Sequence, residues 1–277
     1  MFESEPPPSL LRNNRSALDR LDFVKKELGR LEQLGCITRV QHQPKIVNPM
    51  SVIYLNKWRL VLDGSRGLNP FCKRRVVKLE DLSHVARTVS RGSFMVVNDH
   101  DSGYWHVPVA EEHWTYLGVH VVELDGSVQY WVWKVLCLGL RDAAHIYTRI
   151  NRPIMAALRR EGIKGQIYVD DNLTAANSKE ECLEAERHTI ELFQECGWIF
   201  KPSKRSGEPS QTCKFLGLII DSRDMSFNIP EDKIQNIKSL IAEIKSRKRV
   251  KVKLVARLVG KLQAVRLATG PIVAILT

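Results

Sequence analysis

An α+β fold, with an antiparallel sheet packed on helices and a helical C-terminal part, is predicted for this 277-residue chain. Three observations carry the expectation. Elements come in mixed order: a helix, several strands, a helix, a strand pair, a helix, a strand and two last helices. Turn-forming residues interrupt strand-forming runs at Asn56-Lys57, Asp125-Gly126 and Asp170-Asp171-Asn172. The helical stretches show apolar residues three or four apart, with caps at their ends.

Leu21, Val24, Leu28, Leu31 and Leu34 recur at helical spacing before Gly35, which predicts a helix over about 22–34. "SVIYLNKWRLVLD" reads as two strands joined around Asn56-Lys57, and "SFMVVND" as a strand ending at Asp99. "TYLGVHVVELDGSVQYWVWKV" is a hairpin turning at Asp125-Gly126. Asp142 can cap a helix running to about Arg160 with Ile146, Ile150, Ile154 and Leu158 on one face, which Pro153 should bend or interrupt. Ser178 and Glu181 form a capping box opening a helix that Gly197 ends. "KFLGLIID" reads as one strand, and two helices follow over about 231–244 and 251–267.

Hydrophobic content of 44% and charged content of 26% fit a soluble globular protein with a proper core. No apolar run approaches a membrane span, and "MFESEPPPSLLRNNRS" lacks the apolar centre of a signal peptide. An intracellular protein of the cytoplasm or nucleus, with a disordered Pro-rich N-terminus over residues 1–12, is expected. The six cysteines form no C-x-x-C pair and the histidines make no cluster with them, so reduced thiols are expected and not a zinc site. The net charge of +11 is uneven: from Lys233 onward eleven basic residues face Glu243 alone. Such a block is the footprint expected for a phosphate backbone. A solvated helix face, or a nuclear-import run at "KSRKRVKVK", is the plainer alternative.

In "GQIYVDDNLTAA" strand formers flank Asp170 and Asp171, which places both carboxylates at a hairpin tip. With 13 aspartates in the chain, an adjacent pair has little weight alone, and a solvated tip is the ordinary reading. If the pair holds metal, another strand-end acid must lie far off in sequence and close in space. Asp99, ending "FMVVND", is the best candidate. Magnesium prefers oxygen ligands, and two ions about 3.5–4 Å apart, bridged by Asp99 and Asp170, would activate an attacking hydroxyl and clamp a leaving phosphate.

The chain resembles reverse transcriptases, most nearly those of DIRS-type retrotransposons, whose elements also carry a tyrosine recombinase. The resemblance rests on "NNRSALDRLDFVKKEL", "KWRLVLDGSRGLN", "DHDSGYWHVPV", "LCLGLRDAAHIYTRI", "YVDD", "KFLGLIID" and "VKLVARLVGKL" in the family's order. It implies a right-hand polymerase, with fingers and palm interleaved over residues 13–228 and a basic helical thumb from 229 to 277. The implied activity is RNA- and DNA-directed DNA polymerisation from a primer with dNTPs, using two Mg²⁺ ions that Mn²⁺ can replace. Asp99, Asp170 and Asp171, with the backbone carbonyl of His100, would hold the metals. Lys204, or Arg205 in its place, would protonate departing pyrophosphate. Arg59, with Lys57 as helper, would meet the triphosphate, Tyr104 would exclude a ribose 2′-hydroxyl, and Gly139 would support the nucleotide. Tyr168, Phe215, Leu216, Gly217, Lys248, Arg249, Lys253 and Lys261 are the implied nucleic-acid contacts, with Phe215 a core residue in either reading.

The sequence departs from the family in places. Asp101 is an extra acid two residues from Asp99, which could compete for metal or raise local proton affinity. "LCLGLRDAA" lacks the two prolines usual there, which should loosen that turn. A catalytically silent fold that binds primer-template is the alternative, and an RNA polymerase is disfavoured by Tyr104. The chain stops at "GPIVAILT", where relatives continue into ribonuclease H, so polymerisation without RNA cleavage is expected; in the full element, fusion to ribonuclease H and recombinase domains is expected.

Overall fold

The computed structural model describes residues 2–269. Its first elements are β1 (Ser9–Leu10), α1 (Arg15–Leu18), α2 (Leu21–Gln33), β2 (Ile37–Val40), β3 (Ile46–Val47), β4 (Met50–Leu55) and β5 (Lys57–Leu62). Next come α3 (Val85–Thr88), β6 (Phe94–Asp99), β7 (Gly118–Val122), β8 (Val128–Trp133), α4 (Ala143–Arg160), β9 (Lys164–Tyr168) and β10 (Asp171–Ala176). The last are α5 (Lys179–Glu195), β11 (Thr212–Phe215), β12 (Leu218–Asp221), β13 (Ser226–Asn228), α6 (Glu231–Lys245), α7 (Val252–Gln263) and α8 (Arg266–Thr269). Two compact units result: Met1–Lys78 with Ser102–Asn151, and Leu79–Asp101 with Arg152–Thr277.

The first unit holds a five-stranded sheet in the order β1-β3-β7-β8-β2. Its β1-β3-β7 part is parallel and its β7-β8-β2 part antiparallel. Val119, His120 and Val121 of β7 are all buried, as in a strand covered on both faces. Strands β4 and β5 form a separate hairpin that turns at Asn56, whose φ is +59°. Its base buries Val52, Leu60 and Leu62, while Tyr54 and Trp58 meet edge to face near the exposed tip.

Residues 2–12 carry structure where their composition suggested disorder. Ser9 and Leu10 pair in parallel with Ile46 and Val47, Pro6 is buried, Glu5 pairs with Lys45, and the Phe2 ring packs edge-on against Tyr116. The strand lies at a sheet edge, and the prolines at 6–8 precede it, so the Ser9 and Leu11 N–H groups remain free to donate to Lys45 and Val47.

The second unit is built on the antiparallel sheet β6-β10-β9. Because side chains alternate along a strand, β6 and β10 sort their residues by face. Met95, Val97, Leu173 and Ala175 enter a core with Cys213, Phe215, Leu218 and Ile220 of the β11-β12-β13 sheet and with Val85, Val89 and Val265. Asn98, Asn172 and Thr174 turn to the other face, toward α4 and α5, where Asn98 meets Glu186, Asn172 meets Met155, and Cys182 meets the Thr174 carbonyl.

Two element expectations change. "KFLGLIID" is two strands, β11 and β12, joined at Leu216 (φ +46°) and Gly217 (φ +80°). Positive φ at both loop residues is the turn whose twist suits a two-residue hairpin, and the apolar run conceals it. Helix α4 continues through Pro153 without interruption. Pro153 and Arg149, whose carbonyl loses its partner, are both exposed, so water can satisfy it. Ile150 is exposed too, because four-residue steps drift by about 40° each around a helix; the buried positions are Ala143, Tyr147, Thr148, Asn151, Ile154, Met155 and Leu158. All six cysteines are free, and only Cys196 is exposed. No helix among the described residues is long and apolar enough to cross a membrane.

Candidate active site

Asp99 and Asp171 are cross-strand partners at the ends of β6 and β10, on the same face as the Met95–Val97 and Leu173–Ala175 core rows. Two residues, Val169 and Asp170, join β9 to β10, since Tyr168 pairs directly with Asp171. Val169 has φ +55°. A β-branched residue there is strained, and such strain costs of order 1–3 kcal/mol unless the surroundings impose it. The His100 N–H donates to the Asp170 carbonyl (3.0 Å), which ties the turn to the end of β6. The sequence alone could not tell that Asp170 sits in the turn and Asp171 in the strand.

Like charges directly opposite on a sheet repel, and the structure shows the consequence. The Asp171 carboxyl is pushed up to about 6, mainly by burial, then by the Asp170 and Asp99 charges, with Lys204 acting the other way. Lys204 Nζ donates to Asp99 Oδ2 at 2.6 Å. The other oxygen, Asp99 Oδ1, is buried and accepts no hydrogen bond. A buried carboxylate oxygen without a donor is suited to a cation. Among the described residues no three carboxylate, histidine or cysteine side chains are gathered closely enough to form a complete metal cage. The donor set still fits magnesium, which takes one or two carboxylates and completes its shell with water and substrate phosphate.

His100 is fully buried, stacked on Trp198 and packed against Phe193 and Phe200. Only its main chain is therefore offered to the site. Asp101, the extra acid, lies 3.6 Å from Lys201 Nζ, so a lysine already neutralises it. Of the two candidates for the proton donor, Lys204 is at Asp99. Arg205 forks onto the buried Glu186 instead, with both bonds at 2.6 Å, which withdraws it as the alternative.

The nucleic-acid candidates divide. Phe215 is 1% exposed within the core, so its ring cannot grip a primer: the alternation of β11 turns it inward. Tyr168 and Leu216 are half-buried against the same core, and Gly217 forms the turn beside them. Lys248, Arg249 and Lys253 are exposed, and Lys261 is half-buried.

In the first unit, Arg59 lies on β5 opposite Ile53 and Lys57 at its start opposite Leu55. Lys57 is exposed, whereas the Arg59 Nε is buried without an acceptor. Gly139 has φ +101°, and a Cβ there would fall 1.7 Å from the Leu62 carbonyl oxygen at the end of the same strand. Only glycine fits. The turn that lacks its prolines is held by Asn69, whose Nδ2 donates to the Gly139 carbonyl (2.8 Å) while its Oδ1 accepts from the Arg141 N–H (2.9 Å). Tyr104 packs edge-on against the fully buried Tyr147 at 5.2 Å. A Cβ on Gly103 would fall 2.2 Å from the Tyr147 hydroxyl, so Gly103 and Tyr147 together seat the Tyr104 ring.

Sequence reasoning missed Asn69, Tyr147, Val169 and Glu186, the partner of Arg205. Glu186 left one signal, an acid in the buried stripe Cys182, Glu186, Thr189, Phe193 of α5.

Paired carboxylates ending an antiparallel three-stranded sheet backed by two helices place the chain in the class of right-hand polymerases. The same fold appears in foamy viral protease-reverse transcriptase structures, with double-stranded DNA and with RNA/DNA hybrid, each at TM-score 0.75 and 16% identity over 96% of this chain. A further double-stranded DNA complex gives 0.74 and 16% over 94%. This chain spans 43%, 33% and 50% of those three chains respectively. Residues 41–220 match the family model described as "Reverse transcriptase (RNA-dependent DNA polymerase)", and the chain belongs to that family. No curated protein matches the sequence.

Proposed function

We propose that this chain is an RNA- and DNA-directed DNA polymerase that extends a primer by nucleotidyl transfer from dNTPs. The observation that carries the reading is the Asp99–Asp171 pair with Asp170 in the adjoining turn and the donorless, buried Asp99 Oδ1. Asp99, Asp170, Asp171 and the His100 carbonyl would hold two Mg²⁺ ions, or Mn²⁺ in their place, which acidify the primer 3′-hydroxyl and offset phosphate charge. Lys204, whose Nζ donates to Asp99 Oδ2, would give a proton to departing pyrophosphate. On the first unit, Arg59 offers an unused N–H to a triphosphate, with Lys57 nearby in sequence. Gly139 shapes the turn beside β5, and the seated Tyr104 ring disfavours a 2′-hydroxyl. Most of the catalysis then comes from positioning and preorganised charge.

Fingers and palm would interleave over residues 13–228, and the basic helices from 229 would track phosphates through Lys248, Arg249, Lys253 and Lys261. Tyr168, Leu216 and Gly217 would contact the primer. Membership of a DIRS-type retrotransposon rests on the order and wording of the sequence blocks. It carries with it fusion to ribonuclease H and recombinase domains and an intracellular life in cytoplasm or nucleus.

Primer extension on RNA and on DNA templates, with Mg²⁺ and with Mn²⁺, tests the reading. Wild-type protein should extend both, and Asp170→Asn should lower kcat by about 100-fold or more. Unchanged extension by Asp170→Asn would falsify the carboxylate assignment.

A further inference from the structure

Lysine carries a flexible four-carbon stem, so fixing its ammonium costs side-chain entropy, and a lone exposed ion pair recovers little of it. The Lys204 side chain is 47% exposed, yet its Nζ rests on Asp99 at 2.6 Å. Something besides that pair must hold it.

The segment 200–210 runs along the free edge of β6. His100 bridges Phe200, Met95 bridges Ser210, Lys201 N–H donates to the Asp99 carbonyl (2.9 Å), and Ser206 N–H donates to the Val97 carbonyl (2.9 Å). Within it, the turn carrying Lys204 is anchored by its neighbour. Arg205 Nε and Nη2 donate to the two oxygens of Glu186, which is 4% exposed, and Asn98 Nδ2 donates to Glu186 Oε1 at 2.9 Å. Asn98 directly precedes Asp99, and Arg205 directly follows Lys204. One buried carboxylate thus grips the chain neighbour of each member of the Lys204–Asp99 pair. Glu208, 3.3 Å from Arg205 Nη1 and 3.5 Å from Lys179, extends the network to the start of α5.

We propose that Arg205 and Glu186, linked through Asn98, are positioning residues that fix Lys204 against Asp99. The proposal rests on the polymerase reading for its kinetic consequence but not for its geometry. A bidentate pair suits the task, because its planar fork sets direction as well as distance. Arginine is needed at 205, since lysine there keeps the charge and loses the fork.

Two measurements test this on the full chain. The first is the rate at which Lys204 is acylated by an N-hydroxysuccinimide ester, read by peptide mass spectrometry and needing no activity. Arg205→Gln should raise that rate several-fold and Arg205→Lys less. The Glu186→Gln/Arg205→Gln double variant, which leaves no buried unpaired charge and so retains the fold, should match Arg205→Gln. An unchanged rate in the folded double variant overturns the proposal. The second is single-turnover primer extension. Lys204→Ala should lower kcat by about 100-fold. The double variant should lower kcat by about tenfold with KM for dNTP nearly constant, and by less than about twofold when Lys204 is already alanine, because residues acting through one group are not additive. Equal losses in both backgrounds would mark the pair as merely structural and overturn the proposal. Altered labelling without any wild-type extension would sink the polymerase reading and leave the positioning intact.

Discussion

A carboxyl buried beside two others binds a proton more readily than one in water, and Asp171 is that group. Its folded pKa, pushed up to about 6, lies above the ordinary carboxylate value. The folded chain therefore binds more protons than the unfolded chain between those values. This group's stabilising contribution is fully present below the unfolded pKa and is lost as pH rises through about 6. Asp171→Asn should accordingly raise the melting temperature of the metal-free protein at pH 8, with a smaller gain at pH 5; an equal gain at both would exclude the linkage. An Mn²⁺ ion held there as proposed would displace the same proton, so its affinity should fall as pH drops through about 6, which titration calorimetry would read. Gly139 sets a different limit. Its φ and the 1.7 Å approach to the Leu62 carbonyl mean that Gly139→Ala should cost roughly 3 kcal/mol or more, measured by urea denaturation. A loss below about 0.5 kcal/mol, the ordinary range of a surface change, would contradict the close approach.

At the scale of elements, the β9–β10 hairpin holds Asp170 in a two-residue turn at the expense of Val169. Glycine at 169 would relieve strain of roughly 1–3 kcal/mol while adding an unfolded-state entropy cost of roughly 0.5–1 kcal/mol. Val169→Gly should therefore leave thermal stability unchanged or slightly raised, unlike an ordinary valine-to-glycine change in a strand. A clear drop in melting temperature would argue that the side chain's packing outweighs the strain. The edge of β6 is covered by the segment 200–210, which pairs at Phe200 and Ser210, bonds β6 through the Lys201 and Ser206 N–H groups, and makes one 3-10 turn at Pro202–Lys204. At the end of that turn Lys204 and Arg205 part, one to Asp99 and one to Glu186.

For the whole molecule, charge is the dominant property. The net +11 is concentrated after Lys233, and each basic residue that neutralises a phosphate releases a counterion. Binding to a primer-template duplex should weaken steeply with salt. Replacing Lys248, Arg249 and Lys253 together by alanine should flatten the slope of log K against log salt by about 2–3, near 0.9 for each lost phosphate contact, read by fluorescence anisotropy. A parallel slope would place the phosphate track elsewhere.

Local periodicity determined much of this from the sequence alone. Helix α2, the β4–β5 and β7–β8 hairpins, strand β6 and helix α5 are legible because apolar spacing and turn residues agree within a few positions. Asp99 as an acid ending a strand and Asp170-Asp171 as a pair at a hairpin tip were legible for the same reason, whereas the division of that pair between turn and strand was not. What required distant chain segments to meet was decided only by the tertiary structure. Ser9–Leu10 becomes a strand because Ile46–Val47 offers it an edge. Lys204 and Arg205 are adjacent, flexible and alike in charge, and nothing within the segment distinguishes them. A buried carboxylate on α5 captures one and leaves the other to Asp99, because an unpaired charge inside a protein is costly enough to fix where its partner must stand.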